Sequence, residues 1–267
     1  MPKELRVLLV GDAVGRPGRE LLKKIVPRYR ESARVDFVIA NGENSAHGKG
    51  ITTDTAKEML DAGVDVITLG NHAWDNKDVY KIIETELRLI RPGNYGETPE
   101  VPGRGSGVFD VPGTDGIKVG VLNLLGRVHM HPVHCPFHAA RTIVLQLHEQ
   151  TPIVFLDFHA EATSEKIAMG WFMDGQVSCV FGTHTHVQTA DERLLNEGTA
   201  YITDIGMTGG QQGVIGVKTA EVLHRFLTNL PVRHEVADED VQLCGALVTV
   251  DVETGRAVSI ERVREKE

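Results

Sequence analysis

The sequence is poor in cysteine. Its 267 residues include three cysteines, Cys135, Cys179 and Cys244, which are odd in number and form no C-x-x-C pair. This spacing excludes a disulfide framework, which small secreted domains need for stability. We therefore expect free thiols and a cytoplasmic location.

Basic charge and long apolar runs are also scarce. The formal net charge is -9, the opposite sign to a broad nucleic-acid surface, although a local basic pocket for one phosphate group is compatible with it. No apolar run approaches the roughly 18 residues of a membrane span. The run at residues 5–10 is too short for a signal peptide and lacks a cleavage site. We expect neither a membrane anchor nor a signal peptide.

Apolar strands alternate with amphipathic helices in the first third of the chain. The pattern predicts strands at 5–10, 36–40 and 64–69, and helices at 20–30, 53–62 and 77–87. A glycine-rich turn at 15–19 precedes the first of these helices, and Thr52 or Thr53 caps the second. Such alternation is typical of parallel βαβ units.

The remaining two thirds predict a second sheet. Strands are expected at 107–110, 117–123, 153–158, 177–182 and 199–203, helices at 139–149 and 164–172, and a closing hairpin at 241–252 and 256–263. The charged tail 261–267 should fray. We expect a single α/β domain over residues 1–267, built as a two-sheet sandwich flanked by helices.

Polar side chains follow the predicted strands where each strand ends. Ligands bind at this edge of open α/β sheets. The residues concerned are Asp12, Glu43, Asn44, Asn71, His72, His159, His184 and His186. In an extended chain, His184 and His186 would point to the same side. Taken alone, this His-x-His also fits a polar loop with two unrelated histidines.

This donor set indicates metal chemistry. Imidazole, carboxylate and amide donors without thiolate favour iron, manganese or zinc over copper(I) or an iron–sulfur cluster. Eight candidates exceed one tetrahedral site and suit two ions joined by a carboxylate. A pair of ions about 3.5–4 Å apart can clamp both oxygens of a phosphoryl displacement.

The motifs at these positions carry a family resemblance. Together they resemble the YmdB-like branch of the calcineurin-like metallophosphoesterase superfamily, and the motifs lie at residues 11–19, 41–46, 70–75, 157–166 and 182–191. The superfamily's usual Asp-x-His is here Asp12-Ala13-Val14, and its usual bridging aspartate is here Glu43. Both departures are typical of this branch. The resemblance implies a four-layer αββα fold.

The resemblance also implies a role for each residue. Asp12, Glu43 and His186 would hold a first metal ion, with Asn44 replacing the missing histidine. Glu43 would bridge to a second ion held by Asn71, His159 and His184. The ions would be divalent or of mixed valence, with iron expected first and manganese or zinc as alternatives. His72 would be the general acid, while a metal-bridging hydroxide attacks a phosphodiester such as a 2′,3′-cyclic nucleotide.

Two further segments are candidate substrate contacts. The histidine-rich stretch 129–138 contains two prolines, which favours a surface loop. This loop either covers a site, with His131 and His134 as the first candidates for substrate contact, or is a plain exposed loop. The glycine-rich stretch 206–213, with Gly209, fits a flexible turn or a phosphate cradle. It lacks the Gly-Lys-Ser/Thr of a P-loop, which disfavours nucleoside triphosphates.

Two other functions compete with a phosphodiesterase. A metal-dependent amide or ring hydrolase would place His-x-His on an early strand, whereas here it comes late. A regulatory protein would keep the metal site as structure and act through RNA or protein partners. The sequence leaves the oligomeric state open, with a homo-oligomer among the alternatives.

Overall fold

The computed structural model describes residues 3–32, 35–96 and 100–266. Its helices are α1 (Gly15–Glu31), α2 (Thr53–Asp61), α3 (Pro136–His148), α4 (Thr163–Phe172) and α5 (Thr219–Thr228), with 3-10 helices at Lys77–Lys81 and Gly93–Tyr95. Its strands are β1 (Glu4–Val10), β2 (Asp12–Ala13), β3 (Phe37–Asn41), β4 (Val66–Thr68), β5 (Leu89–Ile90), β6 (Ser106–Asp110), β7 (Lys118–Leu125), β8 (Val154–His159), β9 (Cys179–Thr183), β10 (Arg193–Leu194), β11 (Ala200–Ile202), β12 (Met207–Gly210), β13 (Val241–Asp251) and β14 (Ala257–Lys266).

The strands form two sheets. The first has the order β2-β12-β13-β1-β3-β4-β5, with β14 added on β13, and the second has the order β10-β11-β9-β8-β7-β6. Strands β1, β3, β4 and β5 pair in parallel, as do β7, β8, β9 and β11. Their carboxyl ends therefore meet at one edge of each sheet.

The alternation of apolar side chains along β1 builds two layers of core. Leu5, Val7 and Leu9 pack between the sheets, in one cluster with Phe155 and Phe181 of the second sheet. Leu8 and Val10 point to the other face, where they join side chains of α1 and α2. A third cluster packs α3 and α4 on the second sheet. Since each fully buried side chain of this size contributes about 1.5–3 kcal/mol, the layers fix the sandwich firmly. The predicted two-sheet sandwich flanked by helices is confirmed.

The start of α2 confirms a sequence prediction. Thr52 is the N-cap: its side chain accepts a hydrogen bond from Thr55 N–H at 3.2 Å, and Thr55 Oγ1 accepts from Thr52 N–H at 2.9 Å. This reciprocal capping box satisfies two backbone donors at the helix start.

The glycine-rich segment at 15–19 is helix rather than turn. Helix α1 begins at Gly15, and a Cβ at Gly18 would lie 2.4 Å from the carbonyl oxygen of Thr208. Glycine is therefore needed at this point because α1 packs directly on the backbone of β12.

The predicted helix at 77–87 is also wrong. The segment forms a short 3-10 helix at Lys77–Lys81 followed by turns. Val79 and Ile83 are buried, but Leu87, which should share their helical face, is 50% exposed. Two buried side chains are too few to hold an amphipathic helix on the sheet.

Three features near the C-terminus differ from expectation. The charged residues 261–266 belong to β14, where Lys266 pairs with Gln242 across the sheet; Glu267 lies outside the described residues. Helix α5 was not predicted, because its apolar residues are mostly exposed and it buries Val222 alone. Residues 207–210 are strand β12 rather than part of a flexible turn.

The three thiols are unpaired, as their spacing predicted. Cys135, Cys179 and Cys244 are all free thiols. Among the residues that the structure describes, no helix has both the length and the apolar character to cross a membrane.

Candidate metal centre

The predicted side chains come from the carboxyl ends of strands in both sheets. The first sheet supplies Asp12 on β2, Glu43 and Asn44 after β3, and Asn71 and His72 after β4. The second sheet supplies His159 at the end of β8, and His184 and His186 after β9. Because the two sheets pack face to face, these ends converge at one rim of the sandwich.

One group of donors surrounds the Nε2 atom of His159. This atom lies 3.0 Å from Asn71 Oδ1, 3.1 Å from Glu43 Oε1 and 3.1 Å from His184 Nδ1. We call Asn71, His159 and His184 the His159 cluster. The donor atoms of Glu43, His159 and His184 all lie within 4.8 Å of one another. Four donors that face each other so closely are suited to hold a cation.

A second group lies at Asp12. Its Oδ1 atom is 3.6 Å from His186 Nε2, which in turn lies 3.1 Å from the amide nitrogen of Asn44. We call Asp12, Asn44 and His186 the Asp12 cluster. His186 Nδ1 lies 2.9 Å from the carbonyl oxygen of Ile215, so this nitrogen carries the proton that the carbonyl accepts and Nε2 faces the cluster.

Glu43 stands between the two clusters. Its side chain is 1% exposed, and its Oε1 atom contacts both His159 Nε2 and, at 3.4 Å, the amide of Asn44. Its Oε2 atom accepts a hydrogen bond from the backbone N–H of His72 at 2.9 Å. One buried carboxylate thus touches both groups of donors.

Two observations fit this rim to metal ions. Asp12 Oδ1 is buried and has no hydrogen-bond partner among the residues that the structure describes, which is costly for a carboxylate unless a cation binds it. A Cβ at Gly70 would lie 2.3 Å from His159 Nε2 and 2.4 Å from Glu43 Oε2. Only glycine therefore lets the chain pass close enough for Asn71 to reach the cluster.

The pKa values of the rim side chains are shifted by burial and by the charges of their neighbours. Burial would raise the pKa of Asp12, but the charge of the neighbouring His186 holds it far below its ordinary value. Burial lowers the pKa of His186, yet Asp12 outweighs burial and raises it to about 9. His184 differs: burial and the charge of His159 lower its pKa to about 4. Metal ions would displace the protons on the paired imidazoles.

His184 and His186 do not lie in extended chain. Their φ angles are 97° and 64°, so both backbones are left-handed, and the prediction that alternation aligns them is wrong. They reach different clusters because the chain turns between them. Such strained backbone in non-glycine residues persists where the surroundings hold it.

A buried ion pair supplies part of that support. Lys166 Nζ donates to the carbonyl oxygen of Thr183 at 2.8 Å and to Asp204 Oδ2 at 2.6 Å. Asp204 also accepts hydrogen bonds from the N–H and the hydroxyl of Thr185. The turn that carries both histidines is thus fastened on both sides.

A second buried network orients His159. Its Nδ1 atom lies 2.8 Å from Thr183 Oγ1, which donates to Asp157 Oδ1 at 2.6 Å, so Nδ1–H donates to the hydroxyl and Nε2 is left for the cluster. Thr68 and Asn41 donate to the other oxygen of Asp157. Burial raises the pKa of Asp157 to about 6. Sequence reasoning missed this network, although a carboxylate inside the apolar run of β8 was its signal.

His72 lies beside the clusters rather than in either. Its Nδ1 atom is 2.7 Å from Asp75 Oδ2, and Asp75 also contacts Lys49 Nζ at 3.0 Å. Its side chain is 30% exposed. The residue next to Asn71 is therefore oriented but not enclosed.

The three candidate substrate contacts lie at different places in the structure. His131 lines a cavity together with Asn71 and His184. His134 lines another cavity, with Gly96 and His138. Gly209 is buried inside β12, where it pairs with Gln242 of β13, so the proposed phosphate cradle is a paired strand there.

The two-sheet fold and this rim of histidines, carboxylates and amides define a protein of the calcineurin-like metallophosphoesterase superfamily. The family model described as "YmdB-like protein" matches residues 8–263. The chain belongs to the YmdB-like family.

Similar sequences and similar structures are consistent with this family membership. The chain is 45% identical over 259 residues to a 2′,3′-cyclic-nucleotide 2′-phosphodiesterase of Bacillus subtilis, covering 97% of this chain and 96% of the relative. A crystal structure of a hypothetical protein from Thermus thermophilus superposes with a TM-score of 0.90 at 39% identity, over 98% of this chain and 100% of that one. A crystal structure described as a novel phosphatase from Mycoplasma pneumoniae superposes with a TM-score of 0.92 at 34% identity, over 100% of this chain and 95% of that one.

Proposed function

We propose that this chain is a dinuclear metal-dependent phosphodiesterase that hydrolyses 2′,3′-cyclic nucleotides. The broader class, a hydrolase of phosphoric ester bonds, follows from its family. The observation that carries the finer proposal is the position of Glu43, a buried carboxylate in contact with both donor clusters.

The residues divide into two ligand sets. Asp12, Glu43, Asn44 and His186 would hold the first ion, and Glu43, Asn71, His159 and His184 the second. When bound, such a pair of ions neutralises charge on phosphate oxygens and lowers the pKa of bound water. Iron is expected first, with manganese or zinc as alternatives, since these donors suit all three.

His72 is proposed to deliver the proton to the leaving oxygen. Asp75 accepts from its Nδ1–H and holds the ring, which leaves Nε2 as the nitrogen that would carry the proton to the substrate. The backbone N–H of His72 donates to Glu43, which fixes the distance between the acid and the clusters. This geometry lets one strand end supply both a metal ligand, Asn71, and the proton donor.

The substrate class rests on the Bacillus subtilis relative and on the chemistry of the rim. Opening of a 2′,3′-cyclic phosphate expels a sugar alkoxide, a poor leaving group that requires protonation by a general acid. Cleavage of the 2′ bond would give a nucleoside 3′-phosphate. The free thiols of the three cysteines support a cytoplasmic location as part of the proposal.

Hydrolysis by the metal-loaded chain tests the proposal. Protein loaded with Fe²⁺ or Mn²⁺ should convert 2′,3′-cyclic AMP to 3′-AMP and cleave bis(4-nitrophenyl) phosphate, and a chelator should abolish both activities. A Glu43→Ala preparation purified in parallel controls for contaminating enzymes. A chain that holds two ions and cleaves neither substrate would contradict the proposal and favour the partner-binding alternative.

A further inference from the structure

A cavity of about 300 Å³ opens beside the His159 cluster. Its wall consists of Asn71, His129, Met130, His131 and His184. Asn71 and His184 belong to the cluster, whereas the other three residues come from the loop after β7 and have no place in the proposed ligand sets. The volume lies at the lower end of the range for small-molecule sites.

The sheet topology brings this loop to the rim. Strand β7 pairs in parallel with β8, so Leu125 lies opposite His159, and the N–H of Gly126 donates to the carbonyl oxygen of His159 at 3.0 Å. A Cβ at Gly126 would lie 2.5 Å from Ala160 Cβ and 2.6 Å from Glu165 Oε2. The loop therefore leaves the strand in direct contact with the chain that carries His159.

Glu165 fixes the course of the loop after Gly126. This side chain of α4 is buried, and its carboxylate accepts hydrogen bonds from the N–H of Arg127 at 3.0 and 3.1 Å and from the N–H of Val128 at 3.2 Å. Charge-assisted bonds to backbone N–H groups are stronger than neutral ones. The next residue, His129, has a φ of 62°, a left-handed backbone that such fastening can maintain.

Trp74 and Phe137 each pack against another aromatic ring. Trp74 stacks on Tyr80 with ring centroids 5.4 Å apart, and Phe137 packs edge-on against Phe172 at the same distance. His129 and His131, both exposed, line the cavity beside His184 of the His159 cluster. Histidine is among the side chains on which unpaired bases stack.

We propose that residues 126–131 form the nucleoside-binding wall of the site, and that Glu165 is the positioning residue of this wall. The inference deepens the proposed function and rests on it. A phosphate at the Asn71 and His184 end of the cavity leaves the remaining space to the sugar and base, with the base against His131. Glu165 touches neither, and acts by holding Arg127 and Val128.

Binding of 3′-AMP compared with inorganic phosphate tests the wall directly. Titration calorimetry on the metal-loaded chain should show tighter binding of 3′-AMP than of phosphate. His131→Ala should weaken 3′-AMP about fivefold or more, the low end of what one stacked base contributes. Glu165→Gln should weaken 3′-AMP about tenfold, and Glu165→Ala more, while phosphate affinity changes less than twofold.

Glu86→Gln is the matched control. Glu86 also accepts a backbone N–H, that of Arg88, but pairs with the same residue's guanidinium and lines neither cluster nor cavity. Glu86→Gln should therefore bind 3′-AMP and phosphate with the same affinities as the wild type. His131 is exposed, so its variant keeps the test valid even where a Glu165 variant fails to fold.

Two results would contradict the proposed nucleoside-binding wall. The first is a wild-type chain that binds 3′-AMP no tighter than phosphate. The second is a pair of folded Glu165 variants that lose phosphate as strongly as 3′-AMP, which would make Glu165 merely structural. Failure of the proposed function looks different: the wild type would leave 2′,3′-cyclic AMP uncleaved while selective 3′-AMP binding, and with it the wall, persists.

Discussion

Glu43 Oε1 lies 3.1 Å from His159 Nε2, and the two side chains are 1% and 0% exposed. Glu43 follows β3 of the first sheet, and His159 ends β8 of the second. This contact therefore joins the two sheets at their common rim. Two donor sets, each drawn from both sheets, share this one carboxylate, which is the geometric basis of the proposed dinuclear site.

The role of His72 predicts a loss that depends on the leaving group. His72→Ala should lower turnover of 2′,3′-cyclic AMP by about 10²–10⁴-fold, because the sugar alkoxide needs a proton. Turnover of bis(4-nitrophenyl) phosphate should fall far less, because nitrophenolate leaves without protonation. Steady-state kinetics on both substrates measure the two losses.

Metal content and a second histidine variant complete that test. His72→Ala should retain the metal content of the wild type, and His224→Ala, on exposed α5, should change neither turnover. Unchanged turnover of the cyclic nucleotide in His72→Ala would remove the residue from the mechanism.

The hydroxyl of Thr183 should tune metal affinity. Thr183→Val keeps the shape of the side chain but removes the bonds to His159 Nδ1 and Asp157. Loss of such an outer partner typically costs about 10–100-fold in metal affinity. Competition with a chelator measures this, with Thr142→Val on α3 as the control. Equal affinities in all three proteins would show that the network does not orient His159.

The buried pair of Lys166 and Asp204 should dominate the stability of the turn at 183–186. Both side chains are 1% exposed, so Lys166→Met leaves an unpaired buried carboxylate at a cost of about 3–5 kcal/mol. Lys81→Met, which breaks an exposed pair with Asp78, should lower the stability far less, because solvent screens exposed ion pairs. Urea unfolding at neutral pH compares the two. A Lys166 variant no less stable than the Lys81 variant would contradict this role.

Asp78 predicts a pH-dependent contribution to stability. Hydrogen bonds from Lys81 and from the N–H of Thr53 lower its pKa to about 2. Because this folded-state value lies below the unfolded value of about 3.9, its stabilisation is present above pH ~4 and is lost as the pH falls toward 2. Asp78→Asn should therefore lower Tm at pH 7, by an amount that shrinks as the pH approaches 3.

An exposed aspartate provides the comparison. Asp115→Asn, in an exposed turn, should show no such dependence. A Tm difference between Asp78→Asn and the wild type that stays constant from pH 7 to pH 3 would argue against the depressed pKa.

The sequence was most informative where a polar residue comes at the end of an apolar strand. Asp12, Glu43 and His159 are such residues, and because ligands bind at the edge where strands end, they could be predicted to lie close together. The two-sheet sandwich followed from the same alternation. Both depend on local pattern, which a single sequence displays.

Features that arise from tertiary contact were not predictable. Thr183 and Asp157 lie on neighbouring strands, and Lys166 meets Asp204 from a helix, so nothing in the sequence pairs them. The left-handed backbone of His184 likewise depends on contacts made only in the fold. The helix predicted at 77–87 does not form for a related reason: too few of its apolar side chains pack against the sheet.

Metal stoichiometry of Glu43→Ala tests the central claim most directly. Elemental analysis after dialysis should find two ions per wild-type chain and two in His72→Ala, but fewer than one in Glu43→Ala at the same metal concentration, because both donor sets lose their shared carboxylate. One ion per wild-type chain at saturation, or two in Glu43→Ala, would contradict the dinuclear site.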